Sequence, residues 1–317
     1  MVQESSMLDE ASHTCSKRGL MNKVLQFPLV RIIVAVLFVG VGILVGQTVL
    51  NLLRSAFLIT NIELANLLAF ILVTPITYFA YWIYVRYLEK RKLFELAPPN
   101  AFQEFGLGSL IGFDLFALSI GILWLFGFYR VIGFDLVWIS LISALVGALV
   151  SAFVQELIFR AIIYRITEEW LGTRWAVAIS TLLFGLIHLT SSGATIFSAL
   201  AVALQAGVLL AAAYALTHRL WMALGIHMAW DFANDGIFGV GVGGQTGQPI
   251  QGLLQARLSG PDLLTGGSFG VEASVITLVI VLIAGILILW RAYQQGPFVT
   301  HASKAPIEIQ TARSKSN

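Results

Sequence analysis

The stretch "LISALVGALVSAFVQELIFRAIIYR", residues 141–165, is long and apolar enough to form a membrane-spanning helix, yet three strongly polar side chains lie in its second half before the terminal Arg165. A helix of about 20 predominantly apolar residues crosses the hydrocarbon core of a bilayer. Gln155, Glu156 and Arg160 interrupt this run, and ionisable side chains at such depth are costly unless they are paired or hydrated. The stretch therefore predicts a membrane helix that carries a functional site.

The composition of the whole chain is that of an integral membrane protein. Hydrophobic residues account for 58% of the 317 residues and charged residues for 11%, whereas a soluble domain carries about 25% charged residues. The small net charge of +2 argues against a nucleic-acid partner. We expect an all-α, polytopic bundle of about eight transmembrane helices in the cell membrane, near residues 29–50, 64–86, 107–128, 135–165, 175–190, 195–217, 220–235 and 272–290.

Basic residues concentrate in every second connection between the predicted helices. The positive-inside rule places such connections in the cytoplasm, so both termini are predicted to be cytoplasmic. In one of these connections, Glu168 and Glu169 are expected to be hydrated. The basic residues concerned are Lys17, Arg18, Lys23, Arg31, Arg86, Lys90, Arg91, Lys92, Arg165, Arg174, Arg219 and Arg291.

The chain is predicted to form one membrane domain between two polar tails. The domain covers residues 29–295, and the tails, residues 1–28 and 296–317, are expected to be flexible. The single cysteine, Cys15, lies in the first tail, so an internal disulfide is excluded. Residues 236–270 contain eleven of the 29 glycines, and we expect them to form a long irregular loop outside the cytoplasm.

The polar residues within the apolar runs fall into three clusters. Glu156 and Arg160 are four positions apart, so they can form an ion pair on one helix face. His227 and Asp231 have the same spacing, and the carboxylate could hold the imidazole in one tautomer. Between residues 175 and 217, His188 is the only Asp, Glu, Lys, Arg or His. Because unpaired polar groups are too costly to scatter in lipid, we expect the three clusters to converge on one cavity.

Two further acidic residues lie in or beside predicted helices. Asp114 belongs to none of the three clusters, and a structural hydrogen bond is expected for it. Glu272 stands at the start of the last predicted helix, where a carboxylate suits the positive end of the helix dipole.

The three clusters resemble the motif set of the CPBP (also called ABI) family of intramembrane proteases, which includes the type II CAAX prenyl endopeptidases. The family pattern is EExxxR on one helix, FxxxH on the next, and HxxxN or HxxxD on a later one. The matching stretches here are "QELIFR" (155–160), "FGLIH" (184–188) and "HMAWD" (227–231). The order and separations fit, and the resemblance covers a protease-like core of roughly residues 107–290.

The resemblance implies hydrolysis of a peptide bond of a membrane-associated substrate by an activated water molecule. In the family, the first glutamate of EExxxR is the general base, and here its position is occupied by Gln155. The resemblance assigns supporting roles to Glu156 and Arg160. The roles of binding the water and stabilising the oxyanion go to His188, His227 and Asp231.

Gln155 is the departure from the family pattern. A glutamine side chain can hold a water molecule but cannot accept its proton. General-base assistance contributes ~10²–10⁴ in rate, so this substitution predicts impaired hydrolysis by the family's route. Three alternatives stay open: Glu156 acts as the base, a histidine does so with Asp231 orienting His227, or the protein hydrolyses nothing.

Two other functions remain open on the residues alone. One is a catalytically inactive homologue that binds membrane peptides, as an immunity-like or chaperone-like protein would. The other is a proton-coupled transporter, although the chain has no internal repeat of the kind common in transporters. Two histidines and a carboxylate could also ligate zinc, but HExxH is absent and the resemblance favours a mechanism without a required metal. No cofactor is expected.

Overall fold

The computed structural model describes residues 26–240 and 252–296. The predicted tails, 1–28 and 296–317, lie almost wholly outside the described residues, as do residues 241–251 of the glycine-rich segment. The described part is a bundle of long helices, which confirms the all-α, polytopic class. Its long helices are α1 (Pro28–Ala56), α2 (Ile62–Glu89), α3 (Ala101–Leu125), α4 (Trp138–Leu171), α5 (Thr173–Thr190), α6 (Ile196–Thr217), α7 (Leu220–Phe232, continued by a π-helical turn over Ala233–Ile237) and α8 (Val275–Gln295).

Seven of these helices, α1 to α6 and α8, are long and apolar enough to cross a membrane. The eighth predicted span, 220–235, corresponds to α7, which is not in that group: its regular part has 13 residues, and it carries His227 and Asp231. Its residues from Met222 to Asp231 are all buried within the bundle. A helix covered by protein can carry polar groups that a lipid-facing helix cannot.

The outer faces of the bundle are apolar. On α1, the side chains of Leu37 and Leu44 are 60% and 67% exposed. In water such a surface would be an aggregation hazard, whereas lipid tails accommodate it. The chain is therefore a multi-pass membrane protein.

Helices α3 and α7 pack at unusually close range. A Cβ atom added to Gly108 or Gly112 would lie 2.2 Å from the carbonyl oxygen of Met222 or Ile226, and one added to Gly225 would lie 2.2 Å from that of Phe105. Small residues allow backbones in membrane bundles to approach in this way. The contact at Ile226 fixes the part of α7 that carries the neighbouring His227.

A network of ion pairs closes one end of the bundle. Arg165 pairs with Glu89 at 2.8 Å and with Glu169 at 2.7 Å. Glu168 is buried, accepts a hydrogen bond from the Thr173 hydroxyl and lies 3.3 Å from Nε2 of His218. Other members of the network are Arg31, Arg91 and Glu95.

This network corrects the prediction of hydration for Glu168, whereas Glu169 is exposed as predicted. Helix α4 ends at Leu171 rather than near 165, so its last turns pack against the beginnings of α1 and α5. Glu169 keeps a 28% exposed side chain, but Glu168 is enclosed. Burial opposes protonation of His218, yet its hydrogen bond to Glu168 and the charge of that carboxylate outweigh this and raise the pKa of the imidazole.

At the other end of the bundle, a two-stranded antiparallel sheet joins β1 (Tyr129–Phe134) to β2 (Leu254–Leu258). The pairing shifts register between Val131 and Gly133. The expectation of an irregular loop over 236–270 is wrong for residues 254–258 and for short helical turns at Asp262–Thr265, Gly267–Phe269 and Val271–Ala273. The strand was missed because its partner lies far away in sequence, between α3 and α4.

Candidate active site

Five polar side chains line one cavity between α4, α5, α7 and the turn before α8. They are Gln155, His188, His227, Asp231 and Glu272, with apolar walls that include Phe184 and Trp230. The cavity has a volume of about 40 Å³, and a water molecule needs roughly 10–15 Å³. It therefore has room for water, and a peptide could enter only if the walls moved.

Glu156 and Arg160 form the expected ion pair behind the cavity wall. Both side chains are fully buried, and Nη1 of Arg160 donates to Oε1 of Glu156 at 3.1 Å. Arg160 Nη2 also donates to the carbonyl of Gly207, and the guanidinium lies 4.5 Å from the centre of the Phe184 ring. Directly after Glu156 the helix widens into π-helical turns over Leu157–Tyr164, a geometry that often marks functional sites.

The ring of His227 is oriented by Glu156. Its Nδ1 donates to Oε1 of Glu156 at 2.8 Å, whereas Asp231 Oδ2 lies 3.6 Å from its Nε2. The expectation that Asp231 sets the tautomer is therefore wrong, because the shorter bond holds the proton on Nδ1. Nε2 remains as the nitrogen available to a water molecule, with Asp231 beside it.

His188 has its own fixed tautomer. Its Nδ1 lies 2.7 Å from the carbonyl oxygen of Phe184, which can only accept, so Nδ1 carries the proton. The rings of His188 and His227 both pack on the Phe184 ring, at centroid distances of 5.0 and 5.8 Å. The two histidines thus share one wall, and each has Nε2 left for water or substrate.

Gln155 lines the cavity from α4. Its Nε2 donates to the Ser151 hydroxyl at 2.9 Å, which fixes the amide and leaves the carbonyl oxygen as an acceptor. This position suits a group that holds water. As a neutral amide, it contributes no proton acceptor of useful basicity.

The motifs assign no role to three residues of the site, which are Gln205 on α6, Trp230 on α7 and Glu272 just before α8. Nε1 of Trp230 donates to Oε1 of Glu272 at 3.0 Å, and Nε2 of Gln205 donates to the backbone carbonyl of Glu272. Glu272 thus lines the cavity, in addition to any favourable interaction with the positive end of the α8 dipole. One sequence signal was available: Gln205 is the one amide side chain in the apolar run 196–217.

Asp114 lies away from the site. Its side chain is exposed on the outer face of α3, and it makes no hydrogen bond or ion pair with any residue in the ranges 26–240 and 252–296. The expected structural hydrogen bond is therefore not found within those ranges.

The described part of the chain contains no set of side chains arranged to bind zinc. No three His, Cys, Asp or Glu side chains among those residues are arranged to hold a metal ion. The arrangement offers two oriented imidazoles, two carboxylates and an amide around a space that fits water, which suits hydrolysis or the binding of a polar backbone group.

The fold and the cavity define a class: a polytopic α-helical membrane protein with a polar site enclosed between its helices. Residues 136–233 match a family model described as type II CAAX prenyl endopeptidase Rce1-like. The match confirms the resemblance to the CPBP family and, at family level, supports a CAAX-protease-like intramembrane endopeptidase. No curated protein and no solved structure matches the chain.

The matched segment covers less than half of the chain. It runs from the beginning of α4 to the end of the regular part of α7, so it includes the three motifs. Glu272 lies outside it.

Proposed function

We propose that this chain is an intramembrane endopeptidase that hydrolyses a peptide bond of a membrane-associated substrate with a water molecule bound in the cavity. The observation that carries the proposal is that side chains of all three motifs line one cavity with room for water. The proposed partners are the lipid bilayer of the cell membrane and a membrane-anchored peptide. Nucleic acid is not a proposed partner.

In this mechanism the two histidines act through Nε2. Each Nδ1 is occupied, by Phe184 in His188 and by Glu156 in His227. One Nε2 holds the water, and a protonated Nε2 of the other donates to the oxyanion that forms at the scissile carbonyl. Fixed donors of this kind stabilise charge that develops in the transition state.

Glu156 and Arg160 are positioning residues in this proposal. Glu156 holds the ring of His227, and Arg160 balances the buried carboxylate. Neither side chain lines the cavity, so Glu156 would have to give up both partners to serve as the base.

Gln155 favours a second candidate function. A neutral amide at the position of the family's base glutamate is the change expected in a homologue that has lost hydrolysis but still binds a membrane peptide, as an immunity-like or chaperone-like protein would. Glutamine and glutamate have nearly the same shape, so the cavity keeps its geometry while the proton acceptor at this position is lost.

Cleavage of a membrane-anchored reporter, prepared with and without a prenylated C-terminal cysteine, separates the two functions. The natural chain is compared with Gln155→Glu, and both are repeated with His188→Ala. The endopeptidase proposal predicts cleavage by the natural chain or by Gln155→Glu, and loss of that cleavage with His188→Ala. A gain of ~10² or more from Gln155→Glu would mean that no other group had served as base. If neither chain cleaves while both bind the same peptide, the non-catalytic function is supported instead.

A further inference from the structure

We infer that Glu272 is the general base of this site, taking the role that Gln155 cannot fill. The inference rests on the proposed endopeptidase function. It concerns a residue that lies outside the segment matching the family model and outside all three motifs. Its carboxylate lines the same cavity as Gln155 and His188.

The turn that carries Glu272 is held firmly against the bundle. Residues Val271–Ala273 form a short 3₁₀ helix, and the residues on both sides of Glu272 are buried. The Gln205 amide binds the backbone carbonyl of Glu272, which ties the turn to α6. The carboxylate is therefore fixed on the cavity wall by its backbone as well as by its side chain.

The Glu272 carboxylate is held by Trp230. The indole N–H donates to Oε1 at 3.0 Å, and the indole itself is buried and packs edge-to-face on Phe116, with ring centroids 4.9 Å apart. This hydrogen bond fixes one oxygen of the carboxylate at the cavity wall, which Glu272 shares with His188 and Asp231.

The other two carboxylates of the site lie beside His227. Glu156 is fully buried, lies behind the wall and is bound to Arg160 and His227. Asp231 lines the cavity but lies 3.6 Å from Nε2 of His227, where it can balance an imidazolium. Glu272 lines the same wall as Gln155 and His188, and its Oε1 accepts a hydrogen bond from Trp230.

The proposed step balances without any added reactant. A water O–H bond breaks, its proton goes to a Glu272 carboxylate oxygen, and the water oxygen forms a bond to the scissile carbonyl carbon, whose π electrons move to the carbonyl oxygen. When the tetrahedral intermediate collapses, the C–N bond breaks and the proton passes from Glu272 to the leaving amine. The products are a carboxylic acid and an amine, and Glu272 is ionised again.

The test uses the full chain in proteoliposomes with the membrane-anchored reporter. The four chains are the natural one, Glu272→Gln, Gln155→Glu and the double variant, with Asp262→Asn as a control on an exposed acid of the same segment. We expect cleavage by the natural chain, a loss of ~10²–10⁴ with Glu272→Gln, unchanged cleavage with Asp262→Asn, and recovery in the double variant. Recovery by Gln155→Glu would show that the Glu272→Gln chain still folds.

The conservative variant Glu272→Asp separates a base from a merely structural residue. It keeps a carboxylate at the position, so we expect it to retain part of the cleavage rate that Glu272→Gln loses. Two results would overturn the inference while leaving the proposed function intact: full cleavage by Glu272→Gln, or cleavage by Gln155→Glu with none by the natural chain. If neither the natural chain nor Gln155→Glu cleaves, the proposed function fails and the inference fails with it.

Discussion

Replacing Arg160 with Met would leave the buried carboxylate of Glu156 without its guanidinium partner. Both side chains are fully buried and 3.1 Å apart, and breaking such a pair by removing one member costs about 3–5 kcal/mol. His227 still donates to the same carboxylate oxygen at 2.8 Å, so we expect a cost near the lower end, about 3 kcal/mol. The loss has a second source, because the guanidinium also packs over the Phe184 ring.

The double variant Glu156→Gln/Arg160→Met isolates the pair. It removes the carboxylate as well as the guanidinium, so no uncompensated charge stays buried. We expect it to unfold with a higher free energy than Arg160→Met alone, with a coupling of at least about 1 kcal/mol between the two sites. The free energy of unfolding is measured in mixed micelles for the natural chain, both single variants and the double variant.

Arg174→Met is the matched control for this series. Arg174 is exposed at the beginning of α5, so the same substitution there should change the free energy of unfolding by no more than about 0.5 kcal/mol. Equal destabilisation in Arg160→Met and the double variant would refute the pairing. It would also return Glu156 to consideration as a base, because the carboxylate would then not depend on Arg160.

Three further predictions concern packing, pH dependence and topology. Gly112→Ala would place a methyl group 2.2 Å from a backbone carbonyl oxygen of α7, so it should cost about 1–3 kcal/mol of stability and reduce cleavage. Gly121 lies on the same helix with nothing within 4 Å of an added Cβ atom. Gly121→Ala should therefore leave both stability and cleavage unchanged. The raised pKa of His218 predicts a stabilisation of the fold that is fully present below the ordinary histidine pKa of about 6.5 and is lost as pH rises through the raised pKa. Thermal unfolding measured across pH should show this loss. The same pH dependence in His218→Gln would contradict the prediction. A cysteine placed at Ser259 should react with a membrane-impermeant thiol reagent from the side of sealed vesicles opposite to native Cys15, and labelling of both from one side would reject the predicted topology.

Much of the fold was predictable because membrane helices are local structures. Each helix satisfies its own backbone hydrogen bonds, and lipid requires the surrounding run to be apolar. Seven of the eight predicted spans therefore correspond to observed helices that could cross a membrane, with ends shifted by at most six residues. Helix α7 was predicted as well, although it is not among the helices long and apolar enough to cross a membrane.

The candidate site was predictable only where its residues share a helix. The spacing of Glu156 and Arg160 predicted their ion pair, and the structure contains it. The pairing of Glu156 with His227 joins residues 71 positions apart, and helical spacing instead favoured Asp231 as the partner of that ring. A contact within a helix follows from its period, whereas a contact between helices depends on how they pack.

The apolar runs and the three motifs alone thus determined the class of the protein, the helices and the residues around which its site is built. Tertiary structure decided which side chains face the same cavity. Gln155 and Glu272 lie on the cavity wall, although Glu272 belongs to none of the motifs, whereas Glu156 and Arg160 pair behind that wall. The physical reason is that Glu272 reaches the site through a hydrogen bond from Trp230 on α7 and a backbone contact with Gln205 on α6. Neither contact leaves a periodic signal in the sequence, because each exists only once the helices have packed.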